Sequence, residues 1–455
     1  MHRNAVFPNR ARHERAGWCG VRRRVWTRRA VACLFVAALL GLTAACALFP
    51  SGIGPGGRVF QVWALQDPQN QPIIQAALDS FNKTSTTKGS LTVYLNDAYK
   101  QKLQVSMGSP NAPDIFFNWG GGNLAPYVKA GRVATLDDAL SENPSVKNAF
   151  LDSVMKTARI GGHQYGLPIN GIQPVILYYN KAVFAKYHQQ PPRTWDDLMT
   201  LVDAFKTHGV IPLVLPGTQA WTELMYLEYL LDRVGGPGKF EAIAGGNTSA
   251  WHDPAMLRAL QLCQDLAKRG GFGTNFASIN YDNTGASALF AQGKAAMFLM
   301  GSWEYTNQAQ RQPDFFKSGN LGFTTFPTLT DGAGNPKDIV GNPSNYFSVR
   351  AGGRNTQAAT TFLIKTLKSD AYVTSLVSSG QVPAIKGVNA KFAGSPNANF
   401  LNFTYDMANK APAFTQSWDQ ALSPSVASEL LTNLQKLFLS DITPQQFVDA
   451  MEKAQ

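Results

Sequence analysis

Five loops of this 455-residue chain set a flat aromatic ring beside amide or acid side chains. Asn118-Trp119-Gly120-Gly121-Gly122 follows a predicted strand. Gln219-Ala220-Trp221-Thr222-Glu223 follows the apolar run Val210–Leu215, and Met300-Gly301-Ser302-Trp303-Glu304 follows Ala295–Leu299. Asn342-Pro343-Ser344-Asn345-Tyr346 and Gln416-Ser417-Trp418-Asp419-Gln420 come later. An indole face packs against C–H surfaces, while Asn, Gln and Asp fix the direction of hydroxyl hydrogen bonds. Rings and amides in that combination suit holding a polyol. One tryptophan in such a loop is ordinarily core packing; five loops together favour a polyol site.

Catalytic patterns do not compete with that reading. There is no G-x-S-x-G elbow, no H-E-x-x-H and no phosphate loop ending in G-K-S/T. Ser85-Thr86-Thr87-Lys88 fits S-x-x-K, but its companions S-D-N and K-T-G are missing and it lies in a polar turn. His2 and His13 belong to the first 45 residues, and His163, His188, His208 and His252 are isolated, so neither a metal nor another cofactor is expected. Gly52-Ile53-Gly54-Pro55-Gly56-Gly57 matches G-x-G-x-x-G without the strand before it or the helix after it that a dinucleotide site needs. Paired carboxylates of a glycoside hydrolase stay open, because no spacing singles out a pair.

The loops need a scaffold, and the chain between them supplies one. Arg58–Ala64 alternates as a strand, Pro72–Lys83 is helical, and Leu91–Leu95 is a second strand. Asp97–Met107 is an amphipathic helix leading to the strand Asp114–Trp119. Strand–helix–strand–helix–strand at this spacing predicts an α/β fold with parallel strands and crossover helices. In Pro192-Arg193-Thr194-Trp195-Asp196-Asp197, Thr194 is placed to cap a helix, with Asp197 third and Leu198, Leu201, Val202 and Phe205 as its buried stripe. Further helices are predicted over Asp253–Arg269, Asn355–Lys368 and Val426–Leu439. A chain this long usually divides into two domains, and patterning alone does not show where.

The N-terminal segment has a separate task. Arg22-Arg23-Arg24-Val25-Trp26-Thr27-Arg28-Arg29 precedes the uncharged stretch Ala30–Leu42 and then Thr43-Ala44-Ala45-Cys46, the order of an export signal. The final four residues resemble a bacterial lipobox in which Cys46 is lipidated, although Thr43 stands where the best examples have Leu. Val31–Phe49 also has the length of a marginal transmembrane anchor, and the export route stays open. The whole chain carries +11, but residues 1–45 hold nine arginines and one acid. Without them 32 basic and 29 acidic residues remain, no footprint for a nucleic-acid partner. Cys19 and Cys33 leave with the signal, so Cys263 alone is left as a thiol, in a helical apolar pattern that predicts burial. Ala47–Gly57 reads as a flexible spacer.

Tyr165-Gly166-Leu167-Pro168-Ile169-Asn170 running into Leu177-Tyr178-Tyr179-Asn180-Lys181-Ala182-Val183-Phe184, followed by Pro192–Leu198, resembles the extracellular solute-binding family 1 of bacterial ABC importers. Ala288-Leu289-Phe290-Ala291-Gln292-Gly293-Lys294-Ala295-Ala296-Met297 and Gly301-Ser302-Trp303 are similar to a second hallmark. The resemblance implies a two-lobed periplasmic-binding-protein fold of type II, with parallel-rich sheets and a sugar cleft between lobes. It implies a first lobe of residues 58–168 and 328–350 and a second of 169–327 and 351–455. The chain would cross near Pro168–Gly171, Phe326–Leu329 and Arg350–Arg354.

In that arrangement Trp119 and Trp303 look like stacking platforms, and Trp418 with Asp419 like a ring beside a hydroxyl acceptor. Gln66, Asn96, Asn118, Gln219, Trp221 and Asn345 are the loop candidates for further contacts. Glu304 has two readings, a ligand contact or a helix cap. The implied partners are a mono- or oligosaccharide, the transmembrane permease subunits and a membrane reached through lipid, with a monomeric, non-catalytic receptor. The competing readings are a secreted glycoside hydrolase and a peptide- or amino-acid-binding protein; the latter would want a charge clamp for termini.

Overall fold

The computed structural model describes residues 58–281 and 285–455; the export signal, Cys46 and the spacer lie outside them. In chain order the strands are β1 (Val59–Leu65), β2 (Lys88–Tyr94), β3 (Ile115–Asn118), the hairpin β4 (Arg159–Ile160) and β5 (His163–Gln164), and β6 (Leu167–Pro168). Then come β7 (Gln173–Asn180), β8 (Ile211–Leu213), β9 (Ala295–Gly301), β10 (Leu321–Thr324), β11 (Ile339–Asn342), β12 (Tyr346–Val349) and β13 (Phe414–Gln416).

One sheet has the order β2-β1-β3-β12-β6. Strands β2, β1 and β3 run parallel, as two crossover helices require, with Val62 of β1 opposite both Leu91 and Ile115. The helices are Asn70–Thr84 and Asn96–Ser106, close to the bounds expected from periodicity. The second sheet has the order β13-β11-β7-β9-β8, with β10 also on β7. Both sheets are mixed rather than uniformly parallel: β12 runs antiparallel to β3, and β7 antiparallel to β9 and β11. Strands β7 and β12 each enter their sheet directly from the other lobe, with no crossover helix to reverse the chain, so antiparallel pairing follows.

Each sheet carries its own apolar core. Phe60, Ile115, Leu167, Phe347 and Phe362 belong to one; Val175, Phe205, Tyr229, Met297 and Leu434 belong to the other. At the centre of the second lies the helix Trp221–Gly235, buried along most of its length. The helix Trp195–Thr207 starts as its sequence indicates: the Thr194 hydroxyl accepts from the Asp197 amide, and the Asp197 carboxylate accepts from the amides of Arg193 and Thr194. Cys263 is buried and unpaired, and burial pushes its thiol well above its ordinary value. No helix among the described residues is long and apolar enough to cross a membrane.

Two expected boundaries shift. Strand β11 pairs with β7 and β13, so the chain is still in the second sheet at Asn342, past the expected crossing at Phe326–Leu329. It passes to the first sheet over residues 343–345. The helices Thr356–Thr366 and Asp370–Ser378, expected in the second lobe, bury Phe362, Leu363, Tyr372 and Leu376 in the first core instead. They pack beside the helix Asn70–Thr84, where the Phe362 ring meets both Phe81 of that helix and Phe60 of β1. The return crossing is the helix Ala398–Lys410, with Leu401 in the first core and Phe400 and Met407 in the second. Helix periodicity marks an apolar face but not which sheet that face covers.

Trp418 also departs from expectation. Its ring is 1% exposed, stacks on Phe240 at 4.5 Å and 4°, and meets Trp251 edge-on. It is a core residue of the second lobe and not a platform open to the cleft. Trp418→Ala should therefore cost about 3–5 kcal/mol of folding stability in chemical denaturation, the loss typical of a buried tryptophan. A variant as stable as the parent would contradict this placement.

Candidate functional site

A cavity opens where strands of both sheets end. It encloses about 1020 Å³, its open mouth included. Gln66 follows the carboxyl end of β1, Leu95 and Asn96 that of β2, and Trp119 that of β3. From the second lobe Trp303 follows β9, Asn342 ends β11 and Ser417 follows β13. Strand ends leave backbone groups and loop side chains free to face a ligand, the general reason open α/β sheets bind there.

Three indoles contribute to the wall. Trp119 packs edge-on against Phe117 and Tyr99, which hold its ring at the end of β3. Trp303 folds back over Gly301; a Cβ on Gly301 would lie 2.0 Å from the indole, so only glycine lets the ring take this position. Trp221 meets Trp303 at 6.3 Å and Tyr281 edge-on at 5.5 Å, making an aromatic corner.

Polar groups join the lobes around this corner. Lys100 Nζ lies 3.0 Å from Asp419 Oδ2 and 4.9 Å from the centre of the Trp119 ring, crossing the cleft with one ammonium. Gln69 Nε2 donates across to Trp303 O at 3.0 Å and to Asn307 Oδ1 at 2.9 Å. Gln416 Nε2 donates to Trp119 O, and Asn345 Nδ2 donates to Gln173 Oε1. Near them the helix Gly121–Lys129 of the first lobe starts against residues 421–422 of the second. A Cβ on Gly122 would come within 2.3 Å of the Ala421 and Leu422 carbonyls, so glycine permits this close seam.

Several cavity residues hold buried polar atoms with no partner among the described residues: the amide oxygens of Gln69, Asn342, Asn345 and Gln420, and the Trp221 indole N–H. Buried polar groups are ordinarily paired, and leaving one unpaired costs roughly 1–3 kcal/mol. Four acceptors and one donor match a ligand rich in hydroxyl donors. The cavity's charged residues are Asp67 and Asp419 against Lys100 and Arg311, a balanced set that favours no net ligand charge. No group of acids, histidines and cysteines that could hold a metal occurs among the described residues.

Of the candidates from sequence, Gln66, Asn96, Trp119, Trp221, Trp303, Asn345 and Asp419 line the cavity. Asn118, Gln219, Glu304 and Trp418 do not; each stands behind a neighbour that does. Asn118 is fully buried, accepting from the Gly120 amide and donating to Ser348 Oγ, so it shapes the turn that presents Trp119. Gln219 Oε1 accepts from the Tyr281 amide and thereby holds that loop. Glu304 is fully buried and accepts from the Tyr281 hydroxyl; it neither meets the cavity nor caps the helix through its side chain.

Sequence reasoning passed over Asp67, Gln69, Lys100, Gln173, Tyr281, Asn307 and Arg311, all of which line the cavity, and named Asn342 and Gln420 only as members of their loops. One signal was available: Asn307 and Arg311 follow Trp303 at successive four-residue steps, one face of one helix. Glu228 carried no such signal. Its Oε1 accepts from Ser417 Oγ at 2.7 Å and the Trp418 amide at 2.8 Å, which sets the turn that aims Asp419 at Lys100. Burial pushes the Glu228 carboxyl up to about 8, against those two hydrogen bonds.

The Lys100–Asp419 pair is the one ionic contact across the cleft among the described residues, with side chains 26% and 3% exposed. Lys100→Met should move the unliganded protein toward separated lobes by about 1 kcal/mol, roughly fivefold, allowing for partial solvent screening. Small-angle scattering would register a larger radius of gyration. An unchanged radius would mean that the pair does not hold the lobes together.

Comparison with known proteins places this geometry. The family described as bacterial extracellular solute-binding protein matches residues 67–375. An uncharacterized ABC transporter extracellular-binding protein of Pyrococcus horikoshii is 31% identical over 206 residues, 45% of each chain. The diacetylchitobiose binding protein of Streptomyces coelicolor is 27% identical over 358 residues, 76% of this chain and 77% of that one. The chain thus spans about half the length of the first relative and more of the second.

Among solved structures, one from a study of xylan utilization by Caldanaerobius polysaccharolyticus superposes with a TM-score of 0.78 at 28% identity, covering 87% of this chain and 99% of that one. A chitin oligosaccharide binding protein gives 0.75 at 23% identity, covering 87% and 97%. The glycoside-hydrolase reading finds no support in this company. With the family match covering most of the chain and both lobes reproduced, the chain belongs to the bacterial extracellular solute-binding proteins.

Proposed function

We propose that the chain is the sugar-capturing receptor of an ABC importer, holding a mono- or oligosaccharide in the interlobe cavity and delivering it to the permease. The observation that carries this reading is the cavity wall itself: indole faces beside buried amide oxygens that lack partners among the described residues. Sugar C–H faces pack on the rings and sugar hydroxyls donate to the amides. The names of the chitin-oligosaccharide and diacetylchitobiose binding proteins support a carbohydrate in this fold. Trp119, Trp221 and Trp303 act as platforms, and Gln66, Asn96, Asn345 and Asp419 as polar contacts.

Ligand touching both lobes favours the closed form, because that form alone makes every contact. The closed form then docks on the transmembrane subunits. A monomer tethered through lipid on Cys46, with residues 47–57 as spacer, keeps the receptor beside its permease. The folded part divides into a first lobe of residues 58–168 and 346–392 and a second of residues 173–342 and 414–455, with the helix Ala398–Lys410 crossing between them.

A melting-temperature screen over monosaccharides and xylo-, malto-, galacto- and chito-oligosaccharides tests the proposal. One neutral sugar should stabilise the protein, by about 2.7 kcal/mol at a hundredfold excess over its Kd, with no new reducing ends released. A panel without any shift would overturn the sugar reading. Trp303→Ala should then weaken the best ligand by about 1–3 kcal/mol in calorimetry; unchanged affinity would remove that ring from the site.

A further inference from the structure

At one place the lobes meet through backbone rather than side chains. On the first lobe Trp119 leads through Gly120 into the helix Gly121–Lys129. On the second, Asp419 belongs to the short helix Trp418–Ala421, whose end turns its carbonyls toward that first-lobe helix. A Cβ on Gly122 would lie 2.3 Å from both the Ala421 and the Leu422 oxygens, about 1 Å inside ordinary van der Waals contact. Beside it, a Cβ on Gly121 would lie 2.5 Å from Gln416 Oε1, while Gln416 Nε2 donates to Trp119 O.

The glycines here have different reasons. Gly120 and Gly121 have φ of 71° and 52°, so their backbone conformation alone accounts for them. Gly122 lies inside the helix without a positive φ, where alanine is the best residue and glycine among the worst. The three atoms that a Cβ there would approach most closely all belong to residues 421 and 422 of the other lobe. The helix does not ask for glycine at this position; the facing lobe does.

Small displacements at this seam are magnified. Tyr346 pairs with Asn118 in the first sheet, and Gly341 with Gln416 in the second, so the seam flanks the crossing at residues 343–345. Parting two lobes slightly beside a hinge parts their far lips by more. Trp119 and Asp419, a few residues from the seam on either side, both line the cavity, and their separation sets its width.

We propose that Gly122 is the closure stop of the cleft: its missing side chain lets the first-lobe helix seat on the Ala421 and Leu422 carbonyls, and that seating sets how near Trp119 and Asp419 come around a ligand. Gly122 does not line the cavity, so it is a positioning residue that acts through lobe spacing. Its effect on affinity rests on the reading of the cavity as a sugar site; its effect on spacing does not. With the lobes apart, alanine at 122 suits the helix, and only closure is hindered.

The test compares Gly122→Ala and Gly122→Val with the parent, using Gly108→Ala as control because a Cβ there meets nothing within 4 Å. Small-angle scattering reads lobe spacing with and without the sugar that binds best, and calorimetry reads affinity. Gly122→Ala should enlarge the radius of gyration in both states and weaken the sugar about tenfold. Gly122→Val should go further in both, while circular dichroism and the control stay at the parent's values. A parental radius and affinity in Gly122→Ala would overturn the stop. Lower affinity at an unchanged radius would also overturn it, placing the effect in the Trp119 loop alone. If no sugar of the panel binds, the sugar reading falls, and the unliganded radius still decides: a larger one supports the stop and an equal one overturns it. Should Gly122→Ala fail to fold, Gln416→Ala decides. That variant frees the Trp119 carbonyl from the second lobe and should enlarge the radius; an unchanged radius would overturn the seam's role.

Discussion

The two lobes keep separate apolar cores, and the cleft between them depends on that separation. Had the cores merged, parting the lobes would expose packed apolar surface, and the arrangement would be rigid. Instead the lobes meet through Lys100 and Asp419, Gln69 with Asn307 and the Trp303 carbonyl, Gln416 and the Trp119 carbonyl, and the backbone seam of Gly122 against residues 421–422, apart from the three crossings of the chain. Such contacts exchange for water at small net cost, so two lobe positions can lie within a few kcal/mol of each other. Hinge closure around a ligand needs that near-balance.

Shape and chemistry of the cavity come from two layers. The inner layer consists of rings and amides placed at strand ends. The outer layer touches nothing in the cavity but decides how the inner one points. Asn118 sets the turn for Trp119, Gln219 holds the loop of Tyr281, Glu228 sets the turn at Ser417 and Trp418, and Gly301 makes room for Trp303. Three of these are buried polar side chains that each accept from a backbone amide of the loop they hold.

The residue pattern revealed the loops of the site better than the side chains within them. All five ring-and-amide loops contribute to the cavity, yet each also turns a residue inward: Asn118 beside Trp119, Gln219 before Trp221, Glu304 beside Trp303, Tyr346 beside Asn345, and Trp418 beside Asp419. At a strand-to-helix junction neighbouring side chains diverge by a third to a half turn, and a pattern of residue types does not say which one the cleft receives. Trp418 shows the consequence: its identity suits stacking on a sugar, but it stacks on Phe240. The first sheet was readable because β1–β3 alternate with helices over short range. The fate of residues 356–378 was not, because long-range packing chooses between two similar apolar faces. Lys100 was invisible for the same reason, its partner Asp419 being 319 residues away.

The most direct measurement is a crystal structure of the protein with the sugar that best raises its melting temperature. The account predicts one sugar between the lobes, a ring face against Trp119 or Trp303, and hydroxyls within hydrogen-bonding distance of Gln69, Asn345 or Gln420. Sugar bound on an outer surface, or inside one lobe without touching the other, would contradict it.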